Sequence, residues 1–138
     1  MKVCAILVHG FNVTDSGFNT IDKLEVFFQE RGVTPIRLTY GYFGLLQTRF
    51  FNKKVARRVV EAVHNAKIHY DRVIVVGHSN GCAISFLASG FPELSCDAFC
   101  WINPALDPEA TPGYGVDTIH VWYSPSDFPV KLASLIPK

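Results

Sequence analysis

Apolar runs suited to strands alternate along the chain with stretches suited to helices. The first apolar run, residues 2–8, is closed by His9-Gly10 and predicts a strand. Ile21, Leu24, Phe27 and Phe28 then fall at helical spacing within 19–31. Asn19 suits the N-cap of that helix and Gly32 its C′ stop. A second strand is predicted over 35–40, a loop over 41–47 and a long helix over 48–69. Val55, Val59, Ala62, Val63 and Ala66 form that helix's buried stripe. Lys53, Lys54, Arg57 and Arg58 lie off the stripe; a solvated face is the expectation, an anionic partner the alternative. Residues 72–76 predict a third strand, β-branched and closed by Gly77, followed by a helix over 80–90 stopped at Phe91-Pro92. The fourth strand is expected over 97–102, before Asn103-Pro104 and a Pro/Gly-rich loop at 107–115. A fifth follows over 118–123, closed by Ser124-Pro125, and a last helix could begin within 129–136.

This alternation implies an α/β fold of three layers, a central parallel sheet with helices on both faces. Nearly continuous apolar strands agree, because strands of such a sheet are buried on both sides. Ligands of open parallel sheets bind beyond the strands' carboxyl ends, so the segments following each strand are where chemistry is to be sought.

At 138 residues the chain suits one domain over 1–138. It is 49% hydrophobic and 18% charged, which excludes a disordered chain. Thirteen basic and twelve acidic residues leave a net charge of +1, which argues against general nucleic-acid binding. The longest apolar run, 3–8, is far below the ~20 residues of a membrane span. Cys4, Cys82, Cys96 and Cys100 form no C-x-x-C pair and suggest no metal site. They read as reduced core thiols in a cytoplasmic protein. No cofactor is implied.

Three strand ends carry unusual residues: His9-Gly10-Phe11, then Gly77-His78-Ser79-Asn80-Gly81, and Ser124-Pro125-Ser126-Asp127. The middle one reads G-x-S-x-G between a valine-rich strand and a helix, the setting a nucleophile elbow requires. A sharp turn there lifts the serine hydroxyl clear of the sheet. Gly77 and Gly81 let strand and helix approach, and the helix N-terminus aims amides at developing negative charge.

With these residues the sequence resembles the α/β-hydrolase superfamily of serine esterases and lipases. The resemblance covers nearly the whole chain, beginning at the strand before the oxyanion loop, and is closest in style to the small capless members of bacteria and phages. It implies a strand order of 2-1-3-4-5, with the family's usual first two strands missing. It implies Ser79 as nucleophile, Asp127 as the acid that orients a histidine, and the amides of Phe11 and Asn80 as oxyanion donors, with His9-Gly10 as the motif that shapes the oxyanion loop. Asp107 is the second candidate acid. His9 is expected to be structural, and His78 to point away from the reaction.

The pattern breaks at the base. The family's chain order is Ser, acid, His, yet His9, His64, His69, His78 and His120 all precede Asp127. A further C-terminal stretch bearing the last strand and the histidine is the leading expectation; an inactive relative is the next. His120, the best internal substitute, lies within the fifth strand, where a packed core histidine is expected. His64 and His69 lie on the basic helix, far from the strands' carboxyl ends. The expected function is therefore hydrolysis of a small-molecule ester or related acyl bond through an acyl-enzyme. Tyr40, Tyr42, Phe43, Leu45 and Leu46 could form an apolar substrate wall or cover core. The alternatives are a catalytically inactive binding protein of the same fold and a flavodoxin-like nucleotide binder. The latter would use Thr14-Asp15-Ser16-Gly17 through Thr20 as a phosphate loop but leaves 77–81 unexplained.

Overall fold

The computed structural model describes residues 1–10, 20–41 and 45–124, the side chains at 45–49 excepted. The strands are β1 (Val3–Val8), β2 (Val33–Leu38), β3 (Arg72–His78), β4 (Cys96–Ile102) and β5 (Val116–Trp122). The helices are α1 (Leu24–Gln29), entered through a 3₁₀ turn at Ile21–Lys23, α2 (Leu45–Lys67) and α3 (Asn80–Ser89). All five strands pair in parallel, in the order β2-β1-β3-β4-β5.

β1 forms the middle of the core because both of its faces are apolar. Cys4, Ile6 and Val8 join the cluster made with α2 and α3, while Ala5 and Leu7 meet Ile21, Leu24 and Phe28 on the other face. The alternation is the two-residue period of a strand. Val55, Val59, Val63 and Ala66 of α2 are buried against the first face, as their helical spacing predicts. On the second face, among the described residues, the 3₁₀ turn and α1 supply the cover, and there Arg37 of β2 pairs with Glu25 and Asp22.

Boundaries moved for physical reasons. The first helix is shorter than 19–31: it opens as a 3₁₀ turn and ends before Gly32, whose φ of +70° is left-handed. β2 begins at Val33, two residues before Pro35; a proline is tolerated there because β2 is an edge strand. Helix α2 starts at Leu45, within the predicted 41–47 loop. β3 extends through Gly77 to His78, and β5 runs over Val116–Trp122 rather than 118–123. Asn19, the 14–19 segment, Tyr42, Phe43 and the 129–136 helix lie outside the described residues.

Two expectations about buried polar groups need correction. Cys4, Cys82 and Cys96 are buried, but Cys100 is only partly so; all four are free. Burial pushes the thiols up, Cys4 to about 11 and Cys82 and Cys96 to about 12. His120 is exposed rather than packed in the core, because β5 is an outer strand of the described sheet; its ring stacks on Trp122 at 5.7 Å.

The start of β4 is tied down by Asp97. Its carboxylate accepts the Val73 N–H at 2.8 Å and lies 3.1 Å from Lys67 Nζ. Partial burial works to raise its pKa, but Val73, Lys67 and Arg72 outweigh it and hold the carboxyl below its ordinary value. A lowered carboxyl stabilises the fold above its unfolded-state pKa and loses that contribution as pH falls through the folded one. Asp97→Asn is thus expected to lower the denaturation midpoint at neutral pH. The gap to the unmodified protein should close as pH falls through the acid range; a pH-independent gap would contradict the assignment.

Gly81 gives a second test. A Cβ there would lie 2.1 Å from the Val8 carbonyl oxygen, and backbone cannot yield. Gly81→Ala is expected to cost about 3 kcal/mol or more in urea denaturation. Gly32→Ala, with open space around it, should cost only about 1 kcal/mol from its left-handed φ.

Candidate active site

Ser79 connects β3 to α3 with φ 51° and ψ −115°, a positive φ that serine rarely adopts and that costs about 1–3 kcal/mol. The turn is held from several sides. The Ser79 N–H donates to the Ile102 carbonyl at 3.0 Å, and the Ser79 carbonyl accepts the Cys82 and Ala105 N–H groups at 3.0 and 3.3 Å. The strained residue is thereby fastened to the end of β4 and to the first turn of α3. It remains partly exposed, at the carboxyl end of the sheet.

Three glycines allow this corner to close. A Cβ at Gly77 would meet the Cys82 nitrogen at 2.8 Å, so strand and helix touch through backbone there. Gly81 seats α3 directly on the Val8 carbonyl, as above. Gly10, just beyond β1, faces the Ser79 Cβ: its own missing Cβ would lie 3.3 Å away. The His9-Gly10 and Gly77–Gly81 motifs, 69 positions apart in sequence at their serine and glycine, meet in space.

Asn80 is the first residue of α3, and its backbone amide is one of those that helix geometry leaves without an intrahelical acceptor. Its side chain is buried and bound reciprocally to Asn52 of α2: Asn52 Nδ2 donates to Asn80 Oδ1 at 2.7 Å, and Asn80 Nδ2 to Asn52 Oδ1 at 3.0 Å. Tyr40 extends the same network. Its hydroxyl reaches the His9 and Gly10 carbonyls at 2.6 and 3.0 Å, and its ring stacks on His9 at 4.0 Å. Burial raises the Tyr40 pKa, with the Asn80 side chain pulling the other way. Tyr40 therefore braces the residues that follow β1 and packs against the core instead of forming an apolar wall.

His9 is buried, and its Nδ1 lies 2.8 Å from the Gly10 carbonyl, which can only accept; Nδ1 therefore carries the proton. His78 is partly buried beside Ser79, with Nδ1 3.5 Å from where a Gly10 Cβ would stand. His64 and His69 are exposed, at the far end of α2 and beyond it. Asp107 is exposed and accepts the Glu109 N–H at 3.1 Å, a local turn contact. Phe11 and Asp127 lie outside the described residues. Just before the Asp127 segment, Asn103 turns with φ 45°; its N–H donates to the Trp122 carbonyl at 2.7 Å and its Oδ1 accepts the Ser124 N–H at 2.8 Å. This clamp sets where the chain leaves β5. Asn52 and Asn103 belong to none of the three strand-end motifs, although an asparagine on the buried stripe of α2 is a usable sequence signal.

The asparagine pair generates a prediction. Asn52→Ala or Asn80→Ala leaves the other amide buried without its partner and should cost about 1–3 kcal/mol in urea denaturation. The double variant should lose clearly less than the sum of the two. Strict additivity would mean that the two amides do not support each other.

No protein-family model matches the sequence, and no curated protein does. Solved structures do match. A protein from Xanthomonas campestris pv. campestris placed in the alpha/beta hydrolase superfamily superimposes with a TM-score of 0.62 at 20% identity, covering 88% of this chain and 71% of that one. Esterase PE8 gives 0.62 at 10% identity, over 96% and 90% of the two chains. An extracellular alpha/beta-hydrolase from a Paenibacillus species gives 0.57 at 19% identity; 76% of this chain is covered but only 42% of that enzyme. Together with the 2-1-3-4-5 parallel sheet and the Ser79 turn, these likenesses show that the chain has the α/β-hydrolase fold.

Proposed function

We propose that the protein is a serine hydrolase that cleaves a carboxylic ester or related acyl bond through an acyl-enzyme. The observation that carries this reading is the partly exposed Ser79, held at positive φ against Gly10 and at the head of α3. An ordinary surface serine has no reason to occupy so costly a backbone conformation. The structural neighbours include proteins named as esterase and hydrolase, which supports the same chemistry.

In this reading Ser79 Oγ attacks the carbonyl carbon while its proton passes to a histidine base. The carbonyl oxygen becomes an oxyanion held by the Asn80 and Phe11 amides; losing one such donor typically costs ~2.7–4 kcal/mol of transition-state stabilisation. The alcohol departs with the proton returned by the histidine, and water then cleaves the acyl-enzyme by the same steps in reverse. Asp127 holds the imidazole in the working tautomer. None of the five histidines follows Asp127, so the base is the triad member these residues do not assign. The four free thiols support a reducing, cytoplasmic setting.

Active-site labelling tests the proposal. The full-length protein treated with a fluorophosphonate should be modified at Ser79 and should hydrolyse a short p-nitrophenyl ester. Ser79→Ala should abolish both. An unmodified Ser79 in the folded full-length protein would favour a binding protein of the same fold and end the case for acyl transfer.

A further inference from the structure

Between Glu30 and Glu61 the sequence has no acidic residue but holds Arg31, Arg37, Arg49, Lys53, Lys54, Arg57 and Arg58. Arg31 pairs with Glu30, and Arg37 with Glu25 and Asp22, so the described unbalanced positive charge of this stretch lies on helix α2. Lys53, Lys54, Arg57 and Arg58 are exposed on its outer face. Two of them are oriented by neighbours: Arg58 donates to the Thr39 carbonyl at 3.0 Å, and Arg57 stands over the Phe91 ring at 4.5 Å. They line, with Lys53, Lys54, Glu61 and Phe91, a hollow of about 450 Å³.

The same helix exposes a large aromatic ring one turn earlier: Phe50 is 75% exposed, although α2 has an apolar core face ready to receive such a residue. Cations beside protruding aromatic rings suit the boundary between headgroups and acyl chains, where rings enter the apolar layer and cations stay with phosphates. Among the described residues no helix is long and apolar enough to cross a membrane, so contact through α2 would be peripheral.

We infer that the start of α2 is a docking surface for an anionic phospholipid layer. Phe50 inserts, and Lys53, Lys54, Arg57 and Arg58 meet the headgroup phosphates. Charge complementarity selects an anionic layer, and one protruding ring among four cations suits insertion between headgroups, whereas single-stranded nucleic acid is held on platforms where successive bases stack on several rings. The surface is separate from the candidate site: Asn52, which bonds Asn80, is buried on the opposite side of α2 from the exposed Phe50, so the inference stands independently of the proposed acyl chemistry.

Vesicle co-sedimentation with the full-length protein tests it. Vesicles of phosphatidylcholine with about one-third phosphatidylglycerol should bind the protein, and phosphatidylcholine alone should not. Raising the salt to about 0.5 M should weaken binding at least tenfold. Lys53→Glu combined with Lys54→Glu should weaken it about twentyfold or more, and Phe50→Ser about tenfold, with thermal unfolding confirming that each variant is folded. Equal binding to neutral vesicles, no binding to anionic ones, unchanged binding by folded Phe50→Ser, or tighter binding to a single-stranded oligonucleotide would each overturn the inference. Ser79→Ala should bind vesicles like the unmodified protein. Lost docking with intact Ser79 labelling would thus refute the surface alone, and lost labelling with intact docking the acyl chemistry alone.

Discussion

The candidate site depends on one close approach, that of the first turn of α3 to the end of β1. A helix placed with its backbone against the Val8 carbonyl is possible only where the helix has no Cβ, and Gly81 supplies that position. Once α3 is seated there, the residue before it must turn sharply to leave β3, and Ser79 takes up the strain. The same approach sets Gly10 against the serine and aims the head of the helix across the turn. Stability and chemistry share a cause here: the contact that closes the core also presents the hydroxyl.

A buried polar network then keeps the corner from relaxing. Tyr40 joins the end of β2 to the carbonyls that follow β1, and the Asn52–Asn80 pair joins α2 to α3. Each of the four elements around the serine is held to another by hydrogen bonds shielded from water, where an unsatisfied group is expensive. Such a network favours one arrangement of the backbone over its near alternatives. The main-chain contacts of Ser79 with Ile102 and Ala105 complete the frame from the β4 side.

Much of this was legible in the residues. Continuous apolar runs and helical spacing located the five strands and three helices of the described residues, since a strand buried on both faces and a helix with one apolar stripe leave different marks. The sharp turn at 77–81 was legible because Gly77 and Gly81 are demanded by the close approach of strand and helix. What resisted reading was set by tertiary placement. His120 sits in an apolar-looking strand, yet its exposure follows from β5 lying outermost in the described sheet. Tyr40 was legible as a ring that covers core, as it does, but only the position of β2 beside β1 turns its hydroxyl toward the His9 carbonyl. Asn52 interrupts an apolar stripe, and its partner lies 28 positions away on another helix.

The most direct measurement is a crystal structure of the full-length protein after reaction with a phosphonate that mimics the tetrahedral intermediate. Phosphorus should be bonded to Ser79 Oγ, with the phosphoryl oxygen about 2.7–3.1 Å from the backbone nitrogens of Asn80 and Phe11. A phosphoryl oxygen turned away from both amides, or an adduct on any other residue, would contradict the role given to the turn at position 79.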